Sequence, residues 1–154
     1  MNSQVNGLMD IYTIVSNERK VGGAIEAEKI QLRSGEVFDY PVITNLDYSG
    51  SVFYHLSFIT DSGSPMMVHV NDISLIASPV HKKVCDLKNH SYKKMKTEEK
   101  IHYLKLLCTV NEGSYTKPFI DEVKAIIQDI GYHSLKQDQD FTFIAKEKQL
   151  FKIA

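Results

Sequence analysis

Arginine, cysteine and long apolar runs are scarce in this 154-residue sequence. Two arginines, Arg19 and Arg33, stand against sixteen lysines. The guanidinium fork is the usual bidentate reader of guanine, so base-specific DNA recognition is poorly supported. The same bias fits an AT-rich microbial or phage genome. Two cysteines, Cys85 and Cys108, cannot make a disulfide framework, and a reduced interior is expected. No apolar run approaches the roughly 20 residues of a membrane span. Residues 1–10 carry no basic stretch leading into an apolar one, so no secretory leader is visible and a cytoplasmic location is expected.

Catalytic signatures are also missing. There is no G-x-x-x-x-G-K-[ST] phosphate loop, no G-x-S-x-G elbow, no H-E-x-x-H and no C-x-x-C pair. His81, Cys85 and His90 are spaced H-x3-C-x4-H, which matches no common zinc knuckle. Neither a metal nor a cofactor is expected, and the reading tilts away from an enzyme.

What is present is a change of pattern near residue 80. Upstream, residues 51–60 alternate apolar and polar side chains, placing Val52, Tyr54, Leu56 and Phe58 on one strand face. Met66, Val68 and Val70 continue an even-numbered pattern, and the phase flips at Asn71-Asp72, as at a bulge or strand end. Parity then restricts the turn between them. A three-residue loop, Ser62-Gly63-Ser64, opposes Phe58 to Val68 and sets His55 diagonally from His69; a five-residue loop satisfies parity too. Further strands are expected over 36–44, where Pro41 implies an edge or an irregularity, over 24–32, and over 9–15. Asp47-Tyr48-Ser49-Gly50 reads as a turn.

Downstream, apolar residues recur at three and four. Val80, Val84 and Leu87 suit a short helix, and residues 89–94 read as a loop. Thr97 is placed to cap a helix whose buried stripe is Ile101, Leu104, Leu107 and Cys108. Ser114 or Thr116 caps the next, Pro118 suits its first turn, and Gly131 stops it. Residues 141–145 and 149–153 suggest a terminal hairpin. The expected fold class is therefore α+β. An antiparallel meander or small open barrel (1–79) leads through a lysine-rich connection (80–96) to helices and a hairpin (97–154), a winged-helix-like order.

Charge divides at the same place. Residues 1–80 hold four basic and nine acidic side chains, a balance of −5; residues 81–154 hold fourteen and ten, a balance of +4. Three functional readings follow. The first is a non-enzymatic protein-interaction subunit of a larger cytoplasmic assembly, with two contact surfaces: the β face that carries Phe53, His55, Ile59 and His69, and the segment 82–96. The second is a nucleic-acid-binding accessory protein that meets phosphates through Lys82, Lys83, Lys88, Lys93, Lys94 and Lys96, with Tyr92 to stack a base. Against it, residues 117–130 are net acidic where a recognition helix would stand. The third is a small enzyme that uses His55 and His69 as an acid–base pair.

Overall fold

The structure is a computed structural model. It describes residues 22–49, 52–113 and 116–136, with backbone alone for Tyr48, Ser49, Val52, Phe53 and Lys136. The strand expected over 9–15 and the terminal hairpin lie outside the described residues. Those described form a mixed α+β chain, strands first and helices after. Its two compact units part between Lys93 and Lys94.

The first unit holds eight strands: β1 (Ala24–Glu26), β2 (Lys29–Leu32), β3 (Val37–Asp39), β4 (Val42–Ser49), β5 (Val52–Ile59), β6 (Pro65–His69), β7 (Ile73–Ala77) and β8 (Val80–Lys82). They make two open antiparallel sheets, β6-β5-β4-β1-β8 and β3-β2-β7, and no closed barrel forms among the described residues.

The two orders share a logic. β4, β1 and β8 lie side by side in one sheet, and β3, β2 and β7, their chain neighbours, lie side by side in the other. Each pair is one long strand bent at a corner, a recognised way for sheets to fold over one core. The corners are stitched by backbone bonds: Ala27 N–H to the Pro41 carbonyl (3.1 Å), Tyr40 N–H to Glu28 (2.9 Å) and Glu28 N–H to Ala77 (2.8 Å). Two corners use the left-handed region, at Tyr40 (φ 50°) and Ser78 (φ 48°). Pro41 thus marks an irregularity rather than a sheet edge: it has no N–H to offer, and at a corner none is needed.

Alternation delivers the core. Ile25, Ile43, Leu46, Leu56, Phe58 and Val68 from the larger sheet meet Ile30, Leu32, Ile73 and Ile76 from the smaller, and Phe38 packs edge-on to Phe58 with ring centres 5.3 Å apart. At the first described bend, Gly23 sits at φ +72°, where a β-carbon would fall 2.4 Å from the Lys82 carbonyl oxygen, so only glycine fits.

Several expectations are corrected. The β5–β6 loop has five residues, since Leu56 opposes Val68, Phe58 opposes Met66 and Ile59 opposes Pro65. Thr60 closes it, its Oγ1 accepting from Ser64 N–H at 3.0 Å. Asp61 has left the ladder for the helix start, where its carboxylate accepts from His90 N–H (2.9 Å) and its carbonyl from the Ser91 hydroxyl (2.7 Å). The phase flip at Asn71-Asp72 is a strand end, a single 3-10 turn at Val70–Asp72. The turn read at 47–50 is strand as far as Ser49. The helix read from Val80, Val84 and Leu87 is β8 followed by a 3-10 turn at Val84–Asp86.

The largest correction is that residues 90–94 are helical. α1 runs His90–Val110, with Thr97 inside it. Asn89 caps it, its Oδ1 accepting from Tyr92 N–H at 2.9 Å.

In the second unit, Ile101 and Leu104 of α1 are buried while Leu107 and Cys108 are half-buried. α2 (Lys117–Ile130) begins and ends as its residues require: Thr116 Oγ1 accepts from Phe119 N–H, proline stands in the first turn, and Gly131 takes φ +84°. It buries Phe119, Val123, Ile126 and Ile130, and α3 (Tyr132–Lys136) follows with Leu135 buried. The Tyr103 hydroxyl donates to Glu122 Oε1 at 2.6 Å. That bond, and then the carboxylate's charge, raise the phenol above its ordinary pKa of 10.0. In a spectrophotometric titration, Glu122→Gln is expected to let one tyrosine ionise earlier, and Tyr103→Phe to abolish the difference. A raised folded-state value also means that this stabilisation is full below the unfolded pKa and is lost as pH rises through the folded one.

Candidate functional site

The outward face of β4, β5 and β6 is a small grid. One row across the strands is Asp47, His55 and His69; the next is Asn45, Ser57 and Met67. Because the loop holds five residues, His55 opposes His69 directly rather than diagonally. The Thr60 N–H to Ser64 carbonyl bond (2.9 Å) makes that pair hydrogen-bonded, so alternation leaves His55–His69 and Ser57–Met67 non-bonded pairs with close side chains. The two imidazoles meet edge-to-face, ring centres 5.5 Å apart. Asn45 Nδ2 donates to Asp47 Oδ1 at 2.7 Å, ordering the third strand of the grid.

His69 has a defined local duty. Its Nδ1 accepts from Asn71 N–H at 3.0 Å and caps the 3-10 turn at Val70–Asp72. A neutral imidazole has one lone pair, and here it is engaged. To bind a metal or take a proton through Nε2, His69 would have to release that cap. Among the described residues, no cluster of three or more His, Cys, Asp or Glu could hold a metal ion.

Met67 was not anticipated. It lies on the same face and is 63% exposed, a large apolar side chain among short polar ones. Its odd number placed it with His55 and Ser57, which was the available signal. Ile59 is half-buried, and Phe53 pairs with Tyr48 while its side chain lies outside the described residues. A second apolar surface lies on α1, where exposed Met95, Tyr103, Leu106 and Val110 recur at helical spacing.

The lysine segment is not one open patch. Lys82 Nζ lies 2.7 Å from Glu26 Oε1, Lys88 stands 5.3 Å over the Tyr40 ring, and Lys96 pairs with Glu99 at 3.1 Å. Tyr92 is half-buried in the first turn of α1, with Lys93 beside it; Lys83 and Lys94 are exposed. Half of the six lysines expected on phosphates thus have protein partners.

Residue patterning missed the buried polar centre of this unit altogether. Glu26, 0% exposed, lies in a row with Val80, Val42 and Ile59 across the larger sheet. Its carboxylate accepts from Lys82 Nζ, from Lys88 N–H (2.9 Å) and from Asn89 N–H (2.8 Å). Asn89, also 0% exposed, donates through Nδ2 to the carbonyls of Tyr40 (2.8 Å) and Ile59 (3.0 Å). One carboxylate and one amide therefore fasten the start of α1 to β1, the β3–β4 corner and the end of β5. With every donor matched, this centre reads as structural.

No helix among the described residues is long and apolar enough to cross a membrane. Comparisons with protein-family models, curated proteins and solved structures return no match.

Proposed function

We propose that this chain is a non-enzymatic protein-interaction subunit of a larger cytoplasmic assembly, and that its contact face is the outward side of β5 and β6. The observation that carries the reading is Met67: a flexible thioether, 63% exposed, on the outer strand of an ordered sheet face, opposite Ser57 and next to the His55–His69 pair. Exposed apolar anchors with polar surrounds are typical of protein contacts, and methionine adapts to irregular partners. The engagement of Lys82, Lys88 and Lys96 by protein groups draws weight from the nucleic-acid reading, and the Asn71 bond to His69 draws it from the acid–base reading.

The test is capture of partners by the tagged full chain, with and without nuclease. A partner that survives nuclease and is lost with Met67→Glu is expected. The substitution itself should change stability by no more than about 0.5 kcal/mol, as is usual for an exposed site. Partners that vanish with nuclease, or that ignore Met67→Glu, would overturn the reading.

A further inference from the structure

Among the described residues, strand β6 is an outer strand of the larger sheet, hydrogen-bonded to β5 alone. With the bonded pairs fixed at Phe58–Met66 and Leu56–Val68, the N–H and C=O of Met67 point away from β5, to an edge that no other described strand covers. Exposed edges are ordinarily blunted by charge, proline or cover. Pro65 blunts the first position, but Met66, Met67, Val68 and His69 include no lysine, arginine or carboxylate. Of the other outer strands, β8 carries His81 and Lys82 and β3 ends in Asp39, while β7 is as uncharged as β6, so what distinguishes β6 is the side-chain chemistry beside it.

Beside this edge lies a cavity of about 320 Å³, whose lining includes Leu32, Arg33, Met67, Val68, His69 and Asp72. Its donors are held by one residue. Arg33 Nε donates to the Asn71 carbonyl, and Asn71 N–H donates to His69 Nδ1. The first bond orients the guanidinium while leaving its terminal N–H groups without a partner among the described residues. The second leaves a neutral His69 with its proton on Nε2, a further donor. Arg33 is the one arginine among the described residues, in a chain whose other cations there are lysines. Its planar fork suits a carboxylate in a way that a lysine ammonium does not.

We propose that the β6 edge accepts an extended peptide from a partner as an added strand, and that an acidic side chain of this peptide enters the cavity onto the Arg33 guanidinium. The proposal rests on the protein-interaction reading and names the chemistry of the partner. Backbone bonds to Met67 set the register, and the Arg33 cavity supplies the choice of side chain, the division of labour general to strand addition. Leu32, Met67 and Val68 give the acidic residue's methylene stem an apolar wall. Asp72 opposes the incoming charge and restrains the affinity, so its removal strengthens binding.

The test is selection of a displayed random heptapeptide library on the full chain. Expected are β-branched sequences with Asp or Glu fixed at one position. A selected peptide, synthesised, should lose about tenfold or more in affinity when its acid is changed to the amide or when the chain carries Arg33→Gln. It should bind Asp72→Asn more tightly, a gain that damage to the fold would not produce. Selection of no peptide, no enrichment of an acid, or equal binding by Arg33→Gln would each overturn the proposal. Peptides bound without an acid yet lost with Met67→Glu would overturn the Arg33 cavity and leave the contact face standing; partner capture indifferent to Met67→Glu removes that face itself.

Discussion

Asn89→Ala is expected to destabilise the strand unit by about 3 kcal/mol, the sum of a lost helix cap at about 1 kcal/mol and two stranded carbonyls at about 1 kcal/mol each. The side chain is 0% exposed and makes all three of the bonds in question: Oδ1 with Tyr92 N–H, and Nδ2 with the carbonyls of Tyr40 and Ile59. Each has few substitutes. Tyr40 stands at the β3–β4 corner, at φ 50°, where its carbonyl has no place in a ladder. Ile59 is the last residue of β5, where the ladder gives way to the loop.

Two further substitutions separate the parts. Asn89→Ser keeps a capping oxygen and loses the donors, so it should fall between wild type and alanine. Asn89→Asp keeps the cap but turns a second oxygen toward two carbonyls, beside the Glu26 carboxylate, and is expected to do at least as much harm as alanine. Urea unfolding followed by circular dichroism is the measurement, with a midpoint shift of about 1–3 M for alanine at ordinary denaturant slopes. A loss under 1 kcal/mol for alanine, or aspartate better tolerated than alanine, would refute the account.

How much of this was legible depends on whether the cause was local. The face shared by Leu56, Phe58 and Val68 follows from alternation, and α2 from Thr116, Pro118 and Gly131; in both, neighbours in sequence are the neighbours that matter. The bent strands were half legible. Residues 24–32 and 36–44 do read as extended, but the corners at Ala27 and Tyr40 are stitched by carbonyls from other strands. The loop length turned on Asp61, which parity allows either in the ladder or in the loop and which the start of α1 draws out of the ladder.

The start of α1 shows the same limit. Thr97 and Asn89 are both good caps by residue type. What decides for Asn89 is a carboxylate 63 positions earlier in the chain, which takes its N–H. Glu26 is a charged residue two positions from another, Glu28, which is exposed, and nothing in the residue types distinguishes the two. The contact face was legible in part. Parity put His55 and His69 on one side, but their direct opposition and the exposure of Met67 needed the register.

Glu26→Ala is expected to be more damaging still, at about 4 kcal/mol, and substantially more so than loss of its ion-pair partner. The reason lies in what each change leaves behind. Removing the carboxylate strands the N–H groups of Lys88 and Asn89 together with the Lys82 ammonium. Lys82→Met strands much less, because the carboxylate keeps both backbone donors, and the lysine side chain is already 24% exposed and partly solvated. A loss of about 1–2 kcal/mol is expected there, below the usual figure for breaking a fully buried pair. The double variant should fall short of the sum by about 1 kcal/mol, the coupling of the pair itself. Equal losses for the two single variants would mean that the ion pair, not the two backbone donors, holds the start of α1, and the helix anchor described above would be wrong. Losses ordered as expected would make Glu26 chiefly an acceptor for the backbone of residues 88 and 89, with Lys82 there to balance its charge.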